Sequence, residues 1–240
     1  MFRFSFITLC TVGSLLHPLS TSAQSTDPSG SQIQKFIFAK DEVAFNTNGN
    51  VTGVKYADIN GSPFWKSEYN IATLYKNGTE TATAPIRINL LTNEVYFLRG
   101  KEELVLDERA VNKIVFLQTG DTTTFISRVL NLLLNQKKVE DWVQVMNTGR
   151  YQLLKYIKKE LRSADSGLIA KKYLFRETNY YFLKHLQRVE RIQKLKEENV
   201  LSYLPGSNAF RGWIERKNID FKKEKDIVEF LNHYNRTIEK

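Results

Sequence analysis

The dipeptide Asn77-Gly78 stands between two runs rich in β-branched residues, Ile71 to Tyr75 and Thr79 to Leu90. A two-residue type I′ turn needs positive φ at both central positions, and Asn and Gly tolerate it best, so the pair predicts a hairpin. Pro85 has no N–H to give to a ladder, which predicts an edge position or a bulge in the returning strand. Further runs follow at Glu94 to Leu98, Glu102 to Leu106, Lys113 to Leu117 and Thr123 to Val129, with turn residues at Arg99-Gly100-Lys101 and Gly120-Asp121. Short strands at this regular spacing predict an antiparallel β-meander over residues 61–136. Period-2 alternation names Val95, Phe97, Leu104, Leu106, Ile114 and Phe116 as its core, with Leu74 and Ile126 at the margins.

Beyond residue 136 two readings compete. Leu154, Ile157 and Leu161 recur at helical spacing, whereas Trp142 to Met146 and Tyr151 to Ile157 flank a turn-forming Asn147-Thr148-Gly149. Val143, Val145 and the glycine favour the hairpin. Tyr180 to Leu183 reads as another strand with Gln187 to Ile192 as its partner, and Ser163 to Gly167 as a loop. The end of the chain reads as helical. Lys194 to Leu204 stops at Pro205-Gly206, Asn208 to Lys217 follows a Ser207 cap, and Ile227, Phe230, Leu231 and Tyr234 form one apolar stripe. The expected fold class is α+β: an antiparallel β-meander followed by further hairpins and a small C-terminal helical region.

The N-terminus predicts where this fold forms. Arg3 precedes an apolar run from Phe4 to Leu16, about 20 Å as a helix and short of the roughly 30 Å of a bilayer core. Thr21-Ser22-Ala23 supplies small residues for a signal peptidase, so residues 1–23 read as a signal peptide cleaved before Gln24. Residues 24–60 read as a polar N-terminal segment. Cys10, the one cysteine, lies inside the apolar run behind Leu9, which argues against lipidation. The mature chain is then cysteine-free, which excludes disulfides, thiolate metal sites and a cysteine nucleophile. It also has no further apolar stretch long enough for a transmembrane span.

Charge divides the chain. Residues 24–136 carry 11 Lys/Arg against 12 Asp/Glu, while the mixed strand and helix region 137–240 carries 23 against 14. A basic surface can meet nucleic acid, anionic headgroups, acidic polysaccharide or an acidic protein. Export removes cytoplasmic nucleic acid from that set and leaves an anionic envelope component or a protein partner. The expected location is periplasmic, outer-envelope-associated or extracellular.

Four stretches carry a likeness: Asn60-Gly61-Ser62-Pro63-Phe64, Lys76-Asn77-Gly78, Gly149 to Leu154, and Lys217 to Glu224 continuing to Tyr234-Asn235. In these the chain resembles a group of uncharacterised exported bacterial proteins. The resemblance implies a signal peptide, a run of short strands and C-terminal helices, with strand rather than helix near Tyr151 and Tyr180. It implies no activity.

The sequence offers little chemistry. It contains no zincin, nucleophile-elbow, dinucleotide or phosphate-loop motif after residue 23. His185 and His233 are the remaining histidines, and both read as packed or exposed imidazoles. Asp41-Glu42, Glu102-Glu103 and Asp107-Glu108 are adjacent carboxylates, which on a strand point to opposite faces and do not form an acid–base pair. Asp121-Thr122-Thr123 resembles an O-glycosylation signal in a turn, and Asn50, Asn60, Asn77 and Asn235 stand in Asn-x-Ser/Thr sequons. No catalytic, cofactor-binding or metal residue is assigned. Two functions are weighed: a non-enzymatic envelope-associated or secreted module whose basic half docks to an anionic surface or partner, and an exported hydrolase whose site converges only in three dimensions.

Overall fold

The computed structural model describes residues 37–38, 42–47, 50–107, 109–118, 121–163 and 173–238. The signal peptide reading, Cys10 and most of the expected loop after Ser163 lie outside these residues. The N-terminal strands are β1 (Ile37–Phe38), β2 (Glu42–Thr47) and β3 (Asn50–Lys55), with β2 and β3 forming a separate hairpin. Six strands follow, β4 (Asn70–Lys76), β5 (Thr79–Asn89), β6 (Glu94–Arg99), β7 (Glu102–Val105), β8 (Lys113–Gln118) and β9 (Asp121–Ile126). They are not the simple meander expected: β4 to β7 pair in chain order, β1 takes the outer edge of β7, and β8 crosses back to pair with β4. A small hairpin, β10 (Leu133–Leu134) and β11 (Lys137–Lys138), precedes β12 (Val143–Val145), β13 (Tyr151–Ser163), β14 (Tyr173–His185) and β15 (Arg188–Ile192). Three helices close the chain: α1 (Glu197–Leu201), α2 (Arg211–Lys217) and α3 (Glu224–Ile238).

The molecule is mostly antiparallel β-sheet with a few C-terminal helices, compatible with α+β. One sheet of 11 strands runs in the order β1-β7-β6-β5-β4-β8-β9-β12-β13-β14-β15. It crosses residue 136 without interruption, since β9 pairs with β12. The Asn77-Gly78 turn has the expected backbone, φ 50° and 86°. Pro85 lies opposite Ile71 of β4, and β6 pairs only from Ile86 onward, so β5 has a single neighbour at the proline. The ladder irregularity falls elsewhere, between Leu74 and Tyr75.

The six residues expected as core are all buried in one cluster with Leu74, which is fully rather than marginally buried. Ile126 points to the opposite surface, against the cluster of Val143, Leu154, Tyr156 and Phe182. The strand reading of Tyr151 onward holds. β13 and β14 pair over 13 residues, and the heptad-like spacing of Leu154, Ile157 and Leu161 merely samples both faces of a long strand.

Asn60 bridges Leu174 of β14, and Phe64 bridges Asn89 of β5. Four residues reach at most about 15 Å. In a flat sheet β5 and β14 would be about 29 Å apart, six strand spacings of roughly 4.8 Å. The sheet therefore curls, and residues 60–64 stitch its two arms together. Lys159 on β13 secures the stitch by donating to the carbonyls of Ser62 and Phe64, each at 2.8 Å. Trp65 then enters the curled interior, its ring 4.8 Å from Phe116 and 5.0 Å from Phe125 between centroids.

The helices cover the same inward face at β13–β15, where Tyr151, Leu153, Leu183 and Ile192 meet Ile227, Phe230, Leu231 and Tyr234 of α3. Two expected helices are shorter than their composition suggests. The chain spends residues 193–196 leaving the sheet, with Lys196 extended, so the first helix is only α1. Ser207 is no cap: its hydroxyl donates to the Leu201 carbonyl at 3.1 Å, and a 3-10 turn, Ser207–Phe210, precedes α2.

Candidate functional site

The two histidines are placed on separate aromatic stacks. His185 lies flat on Tyr151, centroids 4.2 Å apart, and its Nε2 accepts a hydrogen bond from Arg150 Nε at 2.9 Å. Burial and then the cations Arg150 and Arg188 hold its pKa below the ordinary value. That imidazole is neutral with its Nε2 lone pair occupied, so it is no general base as placed. His233 stacks on Trp213 at 4.2 Å, and burial followed by Arg236, Arg216 and Lys217 likewise lowers its pKa.

The carboxylates are also committed. Glu102 pairs with Arg99 at 3.1 Å, and Glu103 pairs with Arg87 and accepts from the Tyr69 hydroxyl. Arg87 sits over the Phe64 ring, 3.7 Å from its centroid, which roofs the outer face of β5–β7. Asp107 accepts from the Arg109 N–H at 2.8 Å. Asp41 and Glu108 lie outside the described residues. Among the described residues no group of three His, Cys, Asp or Glu could hold a metal ion.

The modification signals change meaning in the fold. Asp121-Thr122-Thr123 belongs to β9, paired with β8, rather than to a turn, because the ladder extends to Gln118 opposite Asp121. Asn235 is 3% exposed, and its amide is consumed. Its Oδ1 accepts from Tyr151 N–H at 2.9 Å while Nδ2 donates to the carbonyls of Tyr151 and Thr148 at 2.9 and 3.1 Å. That knot fastens the Asn147-Thr148-Gly149 turn to α3. Gly149, at φ 107°, is required there, since a Cβ would stand 2.6 Å from Asn235 Nδ2.

Besides a cleft of about 550 Å³ lined by Glu197, Glu198, Ser207 and Arg211, two others of similar size open on the surface. One, about 560 Å³, is lined by Lys76, Asn93, Arg109, Ser127, Arg128 and Glu140 among others. Its polar groups join loops. Lys76 donates to the Arg109 carbonyl, Arg128 to the Val111 carbonyl at 2.9 Å, and Asn77 and Asn112 bond each other reciprocally at 2.9 and 3.0 Å. Ser127 Oγ is buried without a hydrogen-bond partner, so no base activates it as a nucleophile. The other cleft, about 630 Å³, lies beside the His185–Tyr151 stack and is bounded by Arg188, Glu190 and Tyr203 to Pro205. Arg188 and Glu190 pair along β15 at 3.0 Å.

Cations of the basic half frequently pair two residues along a strand, where side chains share a face: Lys158 with Glu160 at 2.6 Å and Arg162 with Glu160 at 2.8 Å. Such exposed pairs contribute little to stability, about 0–1 kcal/mol each. At one end of the sheet a different combination appears. Leu130 and Leu133 in the loop after β9 and Leu186 in the β14–β15 turn are 58%, 51% and 69% exposed. The loop and turn are joined: Asn131 Nδ2 donates to the Gln187 carbonyl at 2.9 Å, and Arg191 donates to Asn135 Oδ1 at 3.1 Å. Sequence reasoning passed over these leucines. The available signal was Leu186-Gln187, a two-residue turn with neither Gly nor Asn. No family model, curated protein or solved structure matches this chain, and no helix among the described residues is long and apolar enough to cross a membrane.

Proposed function

We propose that the chain is an exported, non-enzymatic module, envelope-associated or secreted, that docks to an anionic surface or partner through its basic C-terminal half. The observation that carries this reading is the excess of cations over residues 137–240, 23 Lys/Arg against 14 Asp/Glu, on strands and helices continuous with the near-neutral strands β4 to β9. The engagement of the cleft residues in loop-to-loop hydrogen bonds supports it further. Of the serines lining the clefts of about 560 and 630 Å³, Ser127 has neither a base nor an orienting partner, and the Ser202 hydroxyl donates to the Asn199 carbonyl. The test is fractionation of the native host with a graded salt wash of the envelope. Exposed charge contacts weaken as the screening length falls below about 8 Å, so the protein sediments with the envelope at low salt and is released at high salt. A protein that never associates with the envelope, even at low ionic strength, defeats the envelope-docking form of the reading.

A further inference from the structure

Leucine is an unexpected occupant of the β14–β15 turn. Leu186 has φ 54° and its side chain projects into solvent, 69% exposed. Left-handed backbone is costly for a leucine and nearly free for glycine or asparagine, so neither folding nor solubility explains the residue. Leu130 and Leu133 share this exposure on the loop fastened to that turn, while Leu132 between them is fully buried and anchors the loop on the sheet. Asn131, Asn135 and Gln136 also adopt positive φ, holding the loop in a fixed shape around its two outward leucines.

The charges beside these leucines are mostly positive. Lys138 pairs with Leu133 and Lys137 with Leu134 across the β10–β11 hairpin, Arg191 bonds Asn135 and Arg188 follows the turn, against the carboxylates Glu140 and Glu190. Arg188 and Lys138 remain 80% and 54% exposed although they pair with those two acids. Long cationic side chains can lay their apolar stems along a headgroup layer while their charges meet phosphate. Resting on the anionic-docking reading above, we propose that this tip inserts Leu130, Leu133 and Leu186 into an anionic lipid bilayer, with Lys137, Arg188 and their neighbours on the headgroups. Charge complementarity selects the lipid surface, and leucines on two projecting turns suit an interface that yields around each side chain.

The experiment uses protein expressed from the full coding sequence and vesicles of phosphatidylcholine with or without phosphatidylglycerol. Wild type sediments with the anionic vesicles and stays free with pure phosphatidylcholine. The triple variant Leu130→Ser/Leu133→Ser/Leu186→Ser lowers the partition coefficient by about tenfold per leucine inserted. Leu117→Ser, at an exposed leucine on β8, leaves it unchanged. In Leu186→Trp the tryptophan emission shifts to the blue only with anionic vesicles. All variants change exposed side chains, and near-ultraviolet circular dichroism checks that they fold. Equal binding of the triple variant and wild type overturns the proposal, as does failure of wild type to bind anionic vesicles. If the protein is nevertheless salt-released from native envelopes, only the lipid assignment falls and a protein or polysaccharide takes its place. If it also fails to associate with envelopes, the docking reading falls with it.

Discussion

In the arm from β4 to β8 the inward row is apolar: Ala72 and Leu74 on β4, Ile86 and Ile88 on β5, Val95 and Phe97 on β6, Ile114 and Phe116 on β8. Along β13 the inward row instead reads Tyr151, Leu153, Lys155, Ile157, Lys159, with lysines among the hydrophobes. Each lysine has a partner remote in sequence. Lys155 meets Glu224 of α3 at 2.9 Å, and Lys159 meets the carbonyls of Ser62 and Phe64 at 2.8 Å. Alternating apolar residues supply the whole inward row of the first arm, even where β4 pairs with the distant β8, whereas the second is complete only when remote segments supply polar partners. Buried polar groups cost stability unless they are satisfied, so the second arm gains uniqueness of docking at the risk of large losses when one partner is missing.

A pair of glycine substitutions breaks or sharpens this contrast. Gly149→Ala strains a backbone at φ 107° and drives Asn235 out of its three hydrogen bonds, with an expected loss of about 3–5 kcal/mol. Gly78→Ala in the β4–β5 turn meets nothing within 4 Å. Its cost is only the left-handed backbone, about 1–2 kcal/mol. Denaturant unfolding of both variants measures the difference, and equal losses would remove the distinction between the arms. Leu186→Gly is expected to raise stability by about 1 kcal/mol while weakening vesicle binding, a trade that identifies the leucine as kept for something other than folding. A Tm no higher than wild type counts against strain at that turn.

The smallest expected effect is on pH. Both histidines belong to the second arm, and both have folded pKa values below the ordinary 6.5. The unfolded chain therefore takes up protons first, and stability that is complete above pH 6.5 declines as pH falls toward the folded values. Glu224 adds a second loss at lower pH. Burial raises its pKa, but Lys155 and the Tyr181 hydroxyl outweigh burial and hold it below 4.5. A melting series from pH 8 to 4 should show a shallow decline that His185→Gln/His233→Gln flattens in its upper part. A slope unchanged in that variant assigns the decline to other groups.

The hairpins from β4 to β7 were legible because each of their signals is local: Asn77-Gly78 satisfies the turn with adjacent residues, and Val95, Phe97, Leu104 and Leu106 alternate within single strands. The crossover that sets β8 beside β4 was not, because Ile114 and Phe116 carry no mark of Leu74 and Ala72 as their neighbours. The hairpin at Tyr151 was legible through Val143, Val145 and Gly149, although its inward lysines follow no periodic rule. The curl was hidden, because Asn60 and Leu174 carry no mark of their pairing. Ser207 looked like a cap, yet its hydroxyl answers the Leu201 carbonyl, a choice made by the Pro205-Gly206 bend. The leucine tip escaped notice because Leu130 to Leu134 reads as one apolar run, and only the β10–β11 hairpin decides which of them turn outward.

The stitch at Asn60 has a consequence in time. Its two halves are more than a hundred residues apart, so whichever end of the chain leads, the early arm must wait for β14 before the curl can close. Contacts of such long range form late and slowly, and during that interval the half-made structure leaves an open strand margin to its surroundings. The ring of the curl is thus a late closure, completed where Lys159 reaches the carbonyls of Ser62 and Phe64.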